Sequence, residues 1–293
     1  PLQNAMLTLD EIFSLELHLP ARAVIAEEVT DKAVKEKKQE ITLADLEKRW
    51  VSVEFVTSDH VCSNGTVPML KMGEEDFEAM EADLLTLQSM VSSRYEFFKP
   101  KSFEWQKALV TCSDVMMILA ELQRMWSYLE PLFIGSDEVK KELPDTAKDF
   151  AVADGEVRAL LREAAETKNV KKAANKEGLL KQLESIAERQ ELCKKRLNDF
   201  LDSKRQQFAR FYFVSEADLL DILSNGSQPR SIMKHVDKVM LATSGLQLED
   251  LPGKSRPSAV LWDAGVGSEC CASDQPVDLA GKVEVYLQEI LKY

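Results

Sequence analysis

The chain has 293 residues, with 37 Lys and Arg against 50 Asp and Glu, and a formal net charge of −13 at pH 7. That balance argues against nucleic acid and against an anionic membrane surface as partners, because both reward a positive face. A chain of this length buries a sizeable core as one large or two ordinary domains, and no apolar run approaches the roughly 20 residues that span a bilayer.

Cys62, Cys112, Cys193, Cys270 and Cys271 form no paired CxxC and no Cys/His cluster. They read as thiols in a reducing compartment, not as a disulfide framework or metal site. No signal peptide precedes the first helix, so Asn64-Gly65-Thr66 reads as a turn and not as a glycosylation site. Pro1 at the start and a helical pattern running to Tyr293 lead to the expectation of an excerpt from a longer polypeptide.

In chain order, residues 7–40 open from Leu7 on a mixed apolar run, Leu9, Ile12, Phe13, Leu15, Leu17 and Leu19, broken at Pro20. They continue as Glu/Lys-rich sequence in which Val24, Ile25, Val29 and Val34 make only a weak stripe; a docked helix or a tether is expected. From Ile41, the positions Leu43, Leu46, Trp50 and Val53 lie on one helical face that ends near Glu54. Residues 54–56 and 67–70 then flank Ser63-Asn64-Gly65, a hairpin with a longer loop. Glu74, Glu75 and Asp76 suit the first turn of a helix whose stripe is Phe77, Met80, Leu84, Leu87 and Val91.

Pro100 separates that helix from the next, which Ser102 is placed to cap and which runs to Pro131. Its stripe is Trp105, Leu109, Cys112, Met116, Leu119, Trp126 and Leu129, in a helix on the order of 40 Å long. Pro144 suits a further helix start, with Phe150, Val157, Leu160, Leu161 and Ala164 inward to about Thr167. After the polar junction 175–178, Leu183, Ile186, Gln190, Cys193, Leu197 and Leu201 line a second long helix. It leads into Phe208, Phe211, Tyr212 and Phe213, expected as a buried aromatic knot. Ser215 with Asp218 forms a capping-box-like start for a short helix carrying Leu219, Leu220, Ile222 and Leu223, with a left-handed stop at Asn225-Gly226. Pro229 opens a helix with Ile232, Val236 and Val239 inward, ended by Ser244-Gly245. Residues 251–257 are rich in Pro and Gly and are expected as a subdomain junction. Residues 260–262 and 277–279 flank Gly265, Gly267 and Ser268 as a β excursion.

Several of these stretches carry a resemblance. Residues 210–215, Arg-Phe-Tyr-Phe-Val-Ser, with Leu-Leu-Asp-Ile-Leu-Ser at 219–224, resemble the segment that marks the linker of dynein heavy chains. The family reads Phe-Pro-Arg-Phe-Tyr-Phe there, and Ala209 replaces its proline, which loosens a turn that proline would stiffen. Trp50 and Phe55 stand as in the family's Trp-x-x-x-x-Phe helix end, followed there by a small hairpin. Residues 88–95, ending in Arg94-Tyr95, resemble Leu-Gln-x-Met-x-x-Ser-(Arg/Lys)-Tyr. Residues 123–133 are a second strong match, extended by Leu143-Pro144 and by Phe-Ile-Gly-Ser at 133–136, whose wording is most similar to axonemal outer-arm members. Residues 281–287 resemble Gly-x-Val-Glu-x-Trp-Leu with Tyr286 in place of tryptophan. The resemblance covers about residue 41 to the end.

The expected fold is mainly α, an elongated bundle of antiparallel helices with one or two small β-hairpins. It divides into a tail-side segment at 1–40, a helical body at 41–250, and a junction, β excursion and next helical subdomain at 251–293. The resemblance implies a mechanical lever that couples an ATP-driven AAA+ ring to the tail for microtubule-based movement, in the cytoplasmic cytoskeleton of a ciliary or flagellar axoneme. Its implied partners are the ring and tail of the same heavy chain and neighbouring dynein chains, with the microtubule reached only through other parts of the motor. The alternative is a static helical scaffold or tail interaction module. A third class, an enzyme assembled from scattered carboxylates, would need a pocket that gathers them.

No catalytic, cofactor-binding or metal residue is assigned. Gly253-Lys254-Ser255 has the ending of a phosphate-binding loop, but Leu248 stands where the loop needs glycine, and prolines flank the stretch. His18, His60 and His235 have no ligand or carboxylate partner at a useful sequence step. Glu191, Asp199 and Asp202 near Lys195 and Arg205 read as a solvated helix face. Residues 210–213 lack the basic surroundings of a base-stacking platform. No cofactor is expected in these residues, and the ATP sites are expected in ring modules outside them.

Overall fold

The computed structural model describes residues 8–14, 16–17, 19–93, 97–240, 243–253, 256–263 and 270–292. Leu7, Leu15, His18, Arg94, Tyr95, Lys254, Ser255, Gly265, Gly267, Ser268 and Tyr293 lie outside them, as does the side chain of Ile12. The elements are α1 (Leu9–Ser14), α2 (Pro20–Ser52), β1 (Val56–Cys62), β2 (Gly65–Lys71), α3 (Glu74–Ser92), α4 (Lys99–Phe133), α5 (Asp137–Glu142), α6 (Pro144–Thr167), α7 (Val170–Ala174), α8 (Leu179–Gln207), α9 (Glu216–Ser224), α10 (Pro229–Ile232), α11 (Val236–Val239), β3 (Gly245–Glu249), β4 (Ser258–Asp263), β5 (Cys270–Asp278) and α12 (Val283–Ile290). The fold is mainly α, with a two-stranded and a three-stranded sheet. The chain forms two compact units, one from Pro1–Asp59, Pro68–Ala120 and Leu161–Leu183, the other from His60–Val67, Glu121–Leu160 and Glu184–Tyr293.

In the first unit, α2 continues without a break through Glu40 and Ile41, and among its described residues burial begins only at Leu43. Leu43, Leu46, Trp50 and Val53 are buried as the stripe requires, together with Trp105, Leu109, Cys112, Met116 and Leu119 of α4. The face of α3 differs from the expectation: Met80, Asp83, Leu87 and Met90 are buried, whereas Phe77, Leu84 and Val91 are only half-buried. A charge inside the stripe rotated the true face away from the purely apolar reading. Helix α4 starts at Lys99, so Pro100 occupies the first turn where its missing N–H costs nothing, and Ser102 is a buried helical residue and not a cap. Pro131 is likewise inside the last turn, and the helix reaches Phe133.

In the second unit, Trp126, Leu129 and Phe133 of α4, Phe150 and Val157 of α6, and Ile186, Cys193, Leu197 and Leu201 of α8 are buried. Phe133 stacks on Phe150 with centroids 5.2 Å apart. The hairpin loop is shorter than expected: Ser63-Asn64 join β1 to β2 directly, and Gly65 at φ 109° supplies the backbone that a side chain would strain.

The aromatic knot is only half a knot. Residues Ala209–Phe213 form a 3-10 turn, with three residues per turn, so Phe208 and Phe211 fall on one side. Their rings meet edge to face at 4.9 Å and are buried. Tyr212 and Phe213 project outward, 60% and 82% exposed. The expected left-handed stop is also absent, since Asn225 has φ −102° and Gly226 does not have positive φ. Gly226 serves close approach instead: a Cβ there would lie 3.3 Å from the Leu223 carbonyl and 3.7 Å from Val283 Cβ.

The helix expected from Pro229 to Ser244 is broken into α10, a 3-10 turn at Met233–His235, and α11, although Ile232, Val236 and Val239 are buried as predicted. The break falls at His235, whose backbone (φ −111°, ψ 1°) leaves the helical region where its ring Nε2 meets the Asp221 carboxylate at 2.6 Å. Strand β3, for which the sequence reading assigned no element, pairs antiparallel with β4, and β4 with β5. Residues 250–257 are thus the connection of a hairpin.

Candidate functional site

Two buried tryptophans are held in the same way, one in each unit. An indole N–H taken out of water must find an acceptor, and here each finds a carboxylate that an arginine also grips. In the first unit Trp50 Nε1 donates to Asp83 at 3.0 Å while Arg49 Nη1 reaches both Asp83 oxygens at 2.8 and 2.9 Å. In the second, Trp126 Nε1 donates to Asp154 at 2.8 Å and Arg158 Nε reaches the same carboxylate at 2.8 and 2.9 Å.

The second lock is larger. Arg158 Nη2 also donates to Glu130 at 3.2 Å, and its guanidinium lies 5.3 Å from the Trp126 ring centroid. Glu130 accepts from the backbone N–H of Ser63 at 3.1 Å, and His60 meets Trp126 edge-on at 5.8 Å. The hairpin tip is thereby fastened to α4 and α6. Arg158, Glu130 and Asp154 are all buried, and each has a partner that offsets its desolvation.

A third lock joins α8 to the start of α12. Buried Lys204 pairs with buried Glu284 and lies 3.9 Å from Glu142, which accepts from Lys282 at 2.8 Å. The Lys282 hydrogen bond holds the Glu142 carboxyl below its usual range, with Lys204 adding to it. These groups line a cavity of about 190 Å³ with Arg256, whose guanidinium donates to the Gly281 carbonyl at 2.8 Å and the Gly226 carbonyl at 3.4 Å. Tyr286 is buried beside it and its hydroxyl lies 3.4 Å from the Gly226 oxygen; burial pushes its phenol up.

The histidine that breaks the 229–240 helix is part of a fourth cluster. His235 Nε2 lies 2.6 Å from Asp221 and Nδ1 3.4 Å from Asp218, one helical turn apart on α9. Lys234 bonds Asp221 at 2.6 Å and Lys238 bonds Asp218 at 2.8 Å. Hydrogen bonds from Lys238 and Ser215 hold Asp218 below the usual carboxylate range, and those from Lys234 and His235 do the same for Asp221.

In the first unit Asn169 caps two helices at once. Its Oδ1 accepts from Lys172 N at 2.9 Å at the start of α7, and its Nδ2 donates to the carbonyls of Trp50, Val51 and Val53 at 2.9, 3.1 and 3.0 Å. The backbone joins in, with Phe55 N donating to Lys168 O at 2.9 Å and Val170 N to Val53 O at 3.1 Å. Nearby, the Lys171 ammonium lies 3.3 Å over the Trp105 ring, and burial lowers its pKa.

These clusters bind the chain to itself, and their chemistry is ion pairing and hydrogen bonding. Of the residues weighed from sequence, His60 packs on Trp126, His235 bonds Asp221 through Nε2, and His18 lies outside the described residues. Glu191, Lys195, Asp199 and Asp202 are exposed on α8. Gly253, at φ 82°, is followed by strand β4, where a phosphate-binding loop would need a helix. Cys112 and Cys193 are buried, and burial raises the Cys112 thiol to about 11. Sequence reading missed Asp83, Glu130, Asp154, Arg158, Asn169, Lys204 and Glu284. A signal for two of them was there: each buried tryptophan needs an acceptor, and an aspartate sits on the apolar face of a later helix.

The whole chain, residues 1–293, matches the family described as dynein heavy chain, N-terminal region 2. It is 44% identical over 287 residues to the dynein alpha chain of the flagellar outer arm of Chlamydomonas reinhardtii, covering 97% of this chain and 6% of that protein. Over the same shares it is 37% identical to dynein axonemal heavy chain 9 of Homo sapiens. It is 35% identical over 285 residues to the ciliary dynein beta chain of Heliocidaris crassispina, again at 97% and 6%. The chain thus spans a small part of the length of the curated relatives it matches.

Proposed function

We propose, because this chain belongs to the family of dynein heavy chains as their N-terminal region 2, that it is a segment of the mechanical linker, which couples an ATP-driven AAA+ ring to the tail in an axonemal motor. The observation that carries the reading is the family match along the whole chain, joined to the kind of residues buried in it. Charged side chains are spent here on internal locks: Trp50–Asp83–Arg49, Trp126–Asp154–Arg158–Glu130, and Lys204–Glu284. These pairs, with Arg158 and Asp154 buried and doubly bonded and Lys204 and Glu284 buried, hold helices in one register, which suits an element that transmits displacement without deforming. Chemistry on this reading belongs to ring modules outside these residues, and the partners are the ring and tail of the same heavy chain.

The test is a distance between a label on this region, at exposed Lys195, and one on the ring of the complete heavy chain, followed through the nucleotide cycle by energy transfer. A lever changes that distance between nucleotide-free and ATP-bound states. A constant distance supports the static scaffold instead.

A further inference from the structure

The part of α2 that precedes Leu43 carries apolar side chains that nothing in the described residues covers. Val29, Val34 and Ile41 are between 51% and 63% exposed, and with Ala33 they line one shallow groove along the helix. A step of four joins Val29 to Ala33 and a step of seven joins Val34 to Ile41, so the four lie within an arc of about 140° on one side of the helix. Among the described residues of α2 none before Leu43 is buried. Most helix stability in proteins comes from packing an amphipathic face, and isolated helices are marginal in water. A regular helix with such a face bare is therefore one side of a helix–helix contact.

The charges lining the groove are cationic, Lys37 and Lys38, with Lys37 bonded to Glu40 at 2.8 Å. The occupant that fits is an amphipathic helix, apolar along one stripe and acidic where it passes these lysines. The relatives extend far beyond the matched region, which is 6% of their length. A segment tethered in the same polypeptide is present at an effective concentration that a free partner does not match. We infer that the α2 face from Val29 to Ile41 docks an acidic amphipathic helix of the same heavy chain, drawn from outside these 293 residues. The inference stands whether or not the region moves as a lever.

It is tested by placing a photo-crosslinking amino acid at Val34 in the complete heavy chain, with Lys32 on the opposite face as control, and mapping adducts by mass spectrometry. The expected result is an intrachain adduct from Val34 to one helical segment outside this region that carries Asp or Glu beside an apolar stripe, and none above background from Lys32. Changing Val29→Glu and Ile41→Glu together then abolishes the adduct, while circular dichroism of the 293-residue chain stays unchanged. An adduct to a second copy, to another subunit or within these residues, equal adducts from both positions, or none at all, overturns the inference.

Discussion

At the scale of single residues, stability rests on charges that are buried in pairs, and the cost of breaking a pair exceeds the gain of making it. Replacing Arg158 by Leu leaves Glu130 and Asp154 buried without their cation, so the unfolding free energy falls by about 3–5 kcal/mol in urea titrations followed by tryptophan fluorescence. The acid side of the stability profile is set by Glu142, Asp218 and Asp221, each held below its ordinary value by a cationic neighbour. A carboxyl depressed on folding contributes stability that is complete above its unfolded pKa, about 3.9 for Asp and 4.3 for Glu, and is lost as pH falls through the lower folded value. Unfolding midpoints should therefore fall modestly below about pH 4, because solvent screens these carboxyls, and Asp221→Asn should remove part of that fall. The apolar members of the core were legible as residues, because helical spacing alone separates Leu109 or Leu197 from their neighbours. Asp83 and Asp154 were legible only as aspartates on apolar helix faces, since local sequence does not say which tryptophan another segment delivers to each.

At the scale of elements, long helices were read well and their junctions poorly. The periodicity of α4 and α8 persists over many turns, so a boundary error of a few residues at Pro100 or Pro131 does not change the face. The 208–213 segment failed because composition shows four rings but not the pitch of the turn that carries them. Phe211→Ala should cost about 3–5 kcal/mol, whereas Phe213→Ala should stay within about 0.5 kcal/mol, both by denaturant midpoint. Asn169 was invisible for the opposite reason, as one polar residue in a polar stretch. Asn169→Ala removes the cap of α7 and the donor to the carbonyls of Trp50, Val51 and Val53, an expected loss of about 1–3 kcal/mol that Asn169→Asp recovers only at the α7 side.

At the scale of the molecule, the fold class followed from helical stripes and a few turn signals, while β3 escaped because Gly245–Glu249 is so short that its alternation of Leu246 and Leu248 with Gln247 and Glu249 covers only four residues. Family membership was legible through motif wording and not through reactive groups. The 293-residue chain titrated with ATP and Mg²⁺ should give no binding isotherm and no phosphate release above buffer. The Asn169 bridge, finally, sets a schedule. Its bond to the Trp50 carbonyl joins residues 119 apart in sequence, so during synthesis the end of α2 waits for more than a hundred further residues. At ribosomal speeds of about 5–20 residues per second that delay is roughly 6–24 s. A nascent chain arrested before Asn169 should leave the amides near Trp50 open to solvent exchange, a vulnerable interval that ends when one carboxamide arrives.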